Sequence, residues 1–141
     1  AKYMNRISGP LMDRIDLHIE VTPVEISKIG GQTHEESSAE IRKRVITARE
    51  IQKRRFANFS GIHTNAMMNS KMLREFCPLD CSASALLNKA IERLGLSARA
   101  YDRIIKVART IADLAAQPDI TAQHIAEAIN YRSLDRESWG R

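Results

Sequence analysis

The stretch from Leu96 to Leu114 restricts the fold more than any other part of the chain. Tyr101, Ile104, Ile105, Ala108, Ile111 and Ala112, with Ala115 just beyond, recur at helical spacing, so one apolar stripe has to be buried against neighbouring helices. Ser97 stands at the N-cap, where a hydroxyl accepts an orphan backbone N–H of the first turn. Arg99 follows two residues later, at the positive end of the same helix. A cation there opposes the helix macrodipole, so Arg99 is either solvated or matched by an anion such as a phosphate. From spacing alone, solvation is the simpler account, because arginines on helix surfaces are common.

The flanking segments read as partners for that stripe. Ser70 is the expected cap of a short helix through Phe76, stopped by Pro78. Asp80 or Ser82 caps the next helix, whose Leu86, Leu87, Ala90, Ile91 and Leu94 end at Gly95. The central helix is expected to run to about Gln117, with Pro118 as its breaker. Thr121 then caps a helix from Ala122 to about Arg132 that buries Ile125, Ala128 and Ile129. Trp139, in the tail, either packs back on the bundle or frays. At the other end, Ser8-Gly9-Pro10 signals a turn and residues 11–14 a short helical turn. Residues 15–21 alternate apolar and polar with period two before Pro23, the pattern of a strand. A lone strand leaves its backbone without a ladder, so its sheet is expected to lie outside these residues. Residues 22–37, with Gly30-Gly31, read as a connection.

Composition agrees with a helical domain: 43% of the 141 residues are hydrophobic and only 5% aromatic. The lack of a long apolar run or a leader-like N-terminus predicts a soluble, cytoplasmic protein without a membrane span. Cys77 and Cys81 find no second cysteine pair, and the histidines are scattered, so two reduced thiols are expected and no metal site. The net charge of +5 is concentrated in residues 36–76, where nine Lys/Arg face four Asp/Glu; residues 1–35 hold four against five, and residues 77–141 nine against eight. This excess falls on an expected helix over residues 38–56. There Arg42, Lys43, Arg44, Arg49, Lys53, Arg54 and Arg55 surround an apolar line of Ile41, Val45, Ala48 and Ile51. Clustered Lys/Arg is the footprint of contact with a nucleic-acid backbone, which makes Arg42, Arg44, Lys53 and Arg54 candidate nucleic-acid contacts. A solvated helix face accounts for the same pattern. Periodicity therefore predicts a mainly α protein: a bundle of four or five helices preceded by one orphan β-strand. It offers no Gly-rich phosphate loop, no Ser/His/Asp set and no acidic pair for a metal, so these residues alone are not expected to catalyse a reaction.

A longer pattern goes further. Residues 6–21, RISGPLMDRIDLHIEV, resemble the R-I-S-G-P-L-L-D-R-I-D-L-H-I-E-V block of the ComM/YifB-type, magnesium-chelatase-subunit-like AAA+ ATPases. Residues 38–42, Ala48-Arg49, Cys77 to Asp80, Leu96 to Tyr101, Ala108 to Leu114, Ile125 to Ile129 and Tyr131-Arg132 resemble the same family. The resemblance implies that residues 1–22 end an αβα ATPase core, that 23–37 are a linker, and that 38–141 form a helical lid. It implies that Arg14 is an arginine finger reaching a neighbouring subunit's nucleotide and that Arg99 is a sensor-2 arginine on nucleotide phosphate. It also implies ATP and Mg2+ as cofactors of a longer parent chain, a ring oligomer of six such chains, and a motor. In the ComM-like branch that motor remodels DNA by helicase or branch-migration action in natural transformation; in the chelatase-like branch it remodels a protein partner. A stand-alone nucleic-acid-binding module is the further alternative.

Overall fold

Side-chain oxygens at Asn69, Asp80 and Ser97 each accept backbone N–H groups of the turn that follows, and these caps fix where three helices begin. The computed structural model describes residues 11, 14–19, 21, 23 and 36–132. Most of the expected connection, residues 24–35, and Trp139 lie outside the described residues. Among the described residues there are five α-helices: α1 (Ser38–Arg55), α2 (Ser70–Phe76), α3 (Cys81–Leu94), α4 (Ala98–Leu114) and α5 (Ala122–Asn130), with one 3-10 turn at Asn65–Met67. The chain is thus mainly helical, as expected. Residues 15–19, expected to begin a strand, form no strand ladder among the described residues, where the β-type pairing is a single parallel bridge between Leu79 and Ile120.

α1 begins at Ser38 as expected, and the boundaries differ from expectation at the cap of α2 and the end of α4. α1 begins with a capping box: Ser37 Oγ accepts the Glu40 N–H at 3.3 Å, and Glu40 Oε2 accepts the Ser37 N–H at 2.8 Å. The Ser37 N–H, and the Ser37 hydroxyl donating to the same carboxylate oxygen at 2.8 Å, hold the Glu40 carboxyl below its ordinary pKa. α2 is capped by Asn69, not Ser70, because Asn69 Oδ1 accepts both the Lys71 and Met72 N–H groups at 3.0 Å. α4 stops at Leu114, before Gln117. Ala116 takes a left-handed φ of 53°, and the Gln117 N–H turns back to the Ala112 carbonyl at 2.8 Å. At the end of α3, Gly95 takes the corresponding left-handed position at φ 60° without the penalty a side chain brings.

α4 is the hub. It packs on α1, the 3-10 turn, α2 and α5, while α3 packs on α5. Ala100, Ile104, Ala108 and Ala112 are fully buried, and three of those four are alanines, which lets neighbouring helices come close. Ile104, Ile105 and Ala108 join Leu87, Ile125, Ala128, Met72 and Leu73 in one core. Phe76 meets Phe56 and Phe59 edge to face at 5.8 and 5.6 Å, closing the end of α1 over α2. Ala115, assigned to the stripe by spacing, is exposed because the helix has already ended.

α1 departs most from its expected packing. Of the line Ile41, Val45, Ala48 and Ile51, only Ala48 is buried; Ile41 and Val45 stay 44% and 45% exposed, and Ile51 is half-buried. The physical reason is that α1 rests on α4 through its C-terminal half alone, at Ala48, Gln52 and Arg55, whereas residues 38–47 are exposed throughout.

Candidate functional site

Arginines meet their internal partners in two places, one inside the fold and one at its edge. The inner one is built on Asp113, which lies one turn beyond Arg109 on the buried side of α4. Its carboxylate accepts from Arg55 Nη1 at 2.7 Å and Nη2 at 2.5 Å, from Asn65 Nδ2 at 2.8 Å and from Arg109 Nε at 3.1 Å. Arg55 Nη1 also donates to Asn65 Oδ1 at 2.8 Å. Arg109 donates its remaining nitrogens to the Pro118 and Gln117 carbonyls at 2.6 and 2.7 Å, which steadies the left-handed turn at Ala116. Asp113 and Arg109 are 0% and 2% exposed as side chains. Burial pushes the Asp113 carboxyl up, but hydrogen bonds from Arg55 and Asn65, with the charges of Arg55 and Arg109, outweigh it and hold the pKa below the ordinary value. Burial draws the Arg109 guanidinium down, and Asp113 opposes that. The cluster ties α1, the 3-10 turn, α4 and the α4–α5 connection together. Arg55, counted by sequence with the basic outer face, belongs to this interior arrangement. The signal that could have found it is the Arg109/Asp113 spacing beside the buried stripe.

The outer arrangement is the seam where residues 15–18 lie against the helices. Arg132 Nη1 donates to the Ile15 carbonyl at 2.9 Å, the His18 N–H donates to the Tyr131 carbonyl at 2.6 Å, and Asp16 is ion-paired with Arg103 of α4. His18 is buried in the seam, whereas Ile15, Leu17, Ile19 and Val21 are exposed, Leu17 and Ile19 along a groove they share with Val107, Ile111 and Leu114 of α4. Arg14 sits immediately before the seam, exposed, in a turn whose N–H donates to the Leu11 carbonyl at 3.0 Å. Asp16, two residues further on, is ion-paired with Arg103. Arg99 is exposed in the first turn of α4, one turn before Arg103 and on the same face.

The four basic candidates on α1 are not gathered into one patch. At 3.6 residues per turn, Arg42 and Lys53 fall roughly 20° apart around the helix and Arg54 roughly 120° from Arg42, all on the outer side. Arg44 lies roughly opposite Arg42 and is paired with Glu36 at 2.8 Å. Cys77 is buried, and burial pushes its thiol up to about 11, so it is held as an inert thiol; Cys81 is exposed. Among the described residues no group of three His, Cys, Asp or Glu is placed to hold a metal ion, and no helix is long and apolar enough to cross a membrane.

Residues 35–132 match the family model described as magnesium chelatase, subunit ChlI C-terminal, and residues 1–29 match that of magnesium chelatase, subunit ChlI. The chain belongs to the magnesium chelatase ChlI family. All five described helices lie in the match to the family's C-terminal domain, and Arg14 with most of the seam lies in the other. Competence protein ComM of Haemophilus influenzae is 43% identical over 136 residues, and YifB of Escherichia coli K12 is 42% identical over 137. Each alignment takes in 96% of this chain and 26% of the relative, so the chain spans about a quarter of the length of these proteins. A Mycobacterium bovis protein, Mb2921c, is 32% identical over 131 residues.

Proposed function

We propose that these residues are the nucleotide-responsive C-terminal part of an oligomeric AAA+ ATPase, with Arg14 as the finger for a neighbouring subunit and Arg99 as the sensor-2 arginine. The observation that carries this reading is the exposure of both arginines, in contrast to Arg55, Arg109 and Arg132, which are spent on internal partners. An arginine suits the work because its planar, permanently charged fork matches phosphate oxygens and stabilises charge spreading over them. The phosphates supply the anion that Arg99 lacks at the positive end of α4. The described residues fit the phosphate end of a nucleotide through these two side chains; the acids that hold Mg2+ belong elsewhere in a full-length chain. The exposed apolar side chains of Ile15 and Val21 are what we assign to the sheet of the ATPase core, with residues 1–22 ending that core, 23–37 linking it and 38–141 forming the lid.

For the work driven by hydrolysis, DNA remodelling in the cytoplasm is the reading we favour, with a ring of six subunits. It draws on the outer basic side of α1, Arg42, Lys53 and Arg54, and on the similarity to a protein named for competence. A protein-remodelling motor of the chelatase kind is the second reading. The exposed Ile41, Val45 and Ile46 on the same helix favour it, because apolar side chains seek a protein surface. ATP turnover by the full-length protein, with and without single-stranded DNA, separates the two. Stimulation by DNA that disappears when Arg42, Lys53 and Arg54 are neutralised supports the DNA motor. Turnover indifferent to DNA contradicts it. Arg99→Ala is expected to weaken nucleotide binding or turnover in either case.

A further inference from the structure

The two arginines of the proposed site stand on different parts of the chain, and one described side-chain contact joins those parts directly. Of the three bonds described above along the seam, those from Arg132 and to Tyr131 reach the end of the α5 region, and the Asp16 pair reaches α4. Asp16 is two residues from Arg14, and Arg103 is one helical turn from Arg99. Side chains four apart on a helix share a face, so Arg99 and Arg103 move as one rigid unit with α4. The rigidity of that unit follows from the burial of Ala100, Ile104, Ala108 and Ala112 on the opposite side.

We propose that Asp16 and Arg103 are a positioning pair that ties the placement of Arg14 to that of Arg99. The inference rests on the roles assigned above to those two arginines. A phosphate held by Arg99 fixes the first turn of α4. Arg103 is fixed with it, Arg103 holds Asp16, and the turn carrying Arg14 is thereby set for the adjoining subunit. Nucleotide occupancy at one site is in this way read at the next through a contiguous chain of contacts. The pair is partly solvent-exposed, 31% at Arg103 and 46% at Asp16. Exposed pairs add little to stability, so removing this one leaves the fold in place and makes its functional effect measurable.

The test is a double-mutant cycle on the full-length protein, with ATP turnover measured against ATP concentration for wild type, Asp16→Asn, Arg103→Gln, the double variant, Arg103→Lys and Arg14→Ala. Each single neutralisation is expected to lower kcat roughly five- to tenfold with KM unchanged. The double variant should be no worse than the poorer single, Arg103→Lys should recover most of the rate, and thermal unfolding should be the same for all. Wild-type kcat in both singles, losses that multiply in the double, or a KM that rises with the loss of kcat would overturn the pairing. Collapse of turnover in Arg14→Ala with normal rates in the Asp16 and Arg103 variants removes only the pair's role. Normal turnover in Arg14→Ala removes the finger reading itself, and the pair's role with it.

Discussion

Asp113 with Arg55 and Arg109 inside the bundle, and Asp16 with Arg103 at its edge, are made of the same two residue types and differ in burial. Inside, the carboxylate accepts four hydrogen bonds and neither Asp113 nor Arg109 meets water. Removing one partner there strands charges in a medium that cannot solvate them. At the edge, each partner regains water when the other is lost, so the pair costs little to open and close. The same ion-pair chemistry serves as a fixed rivet in one place and as an adjustable joint in the other.

The comparison breaks most decisively at Asp113. Asp113→Ala should destabilise the fold by about 3–5 kcal/mol, because Arg55 and Arg109 are left buried without their counter-ion; urea unfolding followed by helical circular dichroism reads this. A loss below about 1 kcal/mol would mean that the inner cluster is as replaceable as a surface pair. Acid sharpens the same point. Asp113 has a folded pKa below its ordinary 3.8, so the unfolded chain binds its proton more readily than the folded one. Its stabilisation is complete above about pH 5 and is lost as pH falls below 3.8 towards the lower folded value. Melting temperatures between pH 5 and pH 2 should fall less steeply in Asp113→Asn than in wild type.

Smaller effects test the intermediate cases. Ser37→Ala removes the hydroxyl of the capping box and should cost about 1 kcal/mol, seen as fraying of the exposed half of α1 in amide hydrogen exchange. Asp16→Asn should cost about 0–1 kcal/mol in the same unfolding assay, the smallest loss of the series. A penalty at Asp16 equal to that at Asp113 would erase the distinction between rivet and joint.

Legibility in the sequence followed how local each determinant is. α3, α4 and α5 could be read because their stripes repeat at helical spacing and their caps, Asp80, Ser97 and Thr121, lie next to them. Gly95 marked its helix end for the same reason. The end of α4 could not be read from Pro118, because Arg109 draws the Gln117 and Pro118 carbonyls back and closes the helix at Leu114. Ser37 with Glu40 was a capping box that spacing could have disclosed. The exposure of Ile41 and Val45 was not legible, since a stripe states which side chains prefer burial and not whether a neighbour reaches them. The seam was further still from view: Arg103 and Asp16 are 87 residues apart, and Arg132 and Ile15 are 117 apart. Arg14 was singled out by family resemblance and Arg99 first by its place in the first turn of α4, and their exposure is what the structure adds.

Whether Arg14 serves a neighbour's nucleotide is decided by a mixing experiment on the full-length protein. Arg14→Ala protomers, which should bind ATP normally but turn it over slower by on the order of 10³-fold or more, are combined with protomers whose own nucleotide-binding loop is disabled. The account predicts that the mixture hydrolyses ATP although each component alone does not, because intact fingers from one component complete intact sites in the other. A mixture as inactive as its parts, with ring assembly and ATP binding retained, would contradict it.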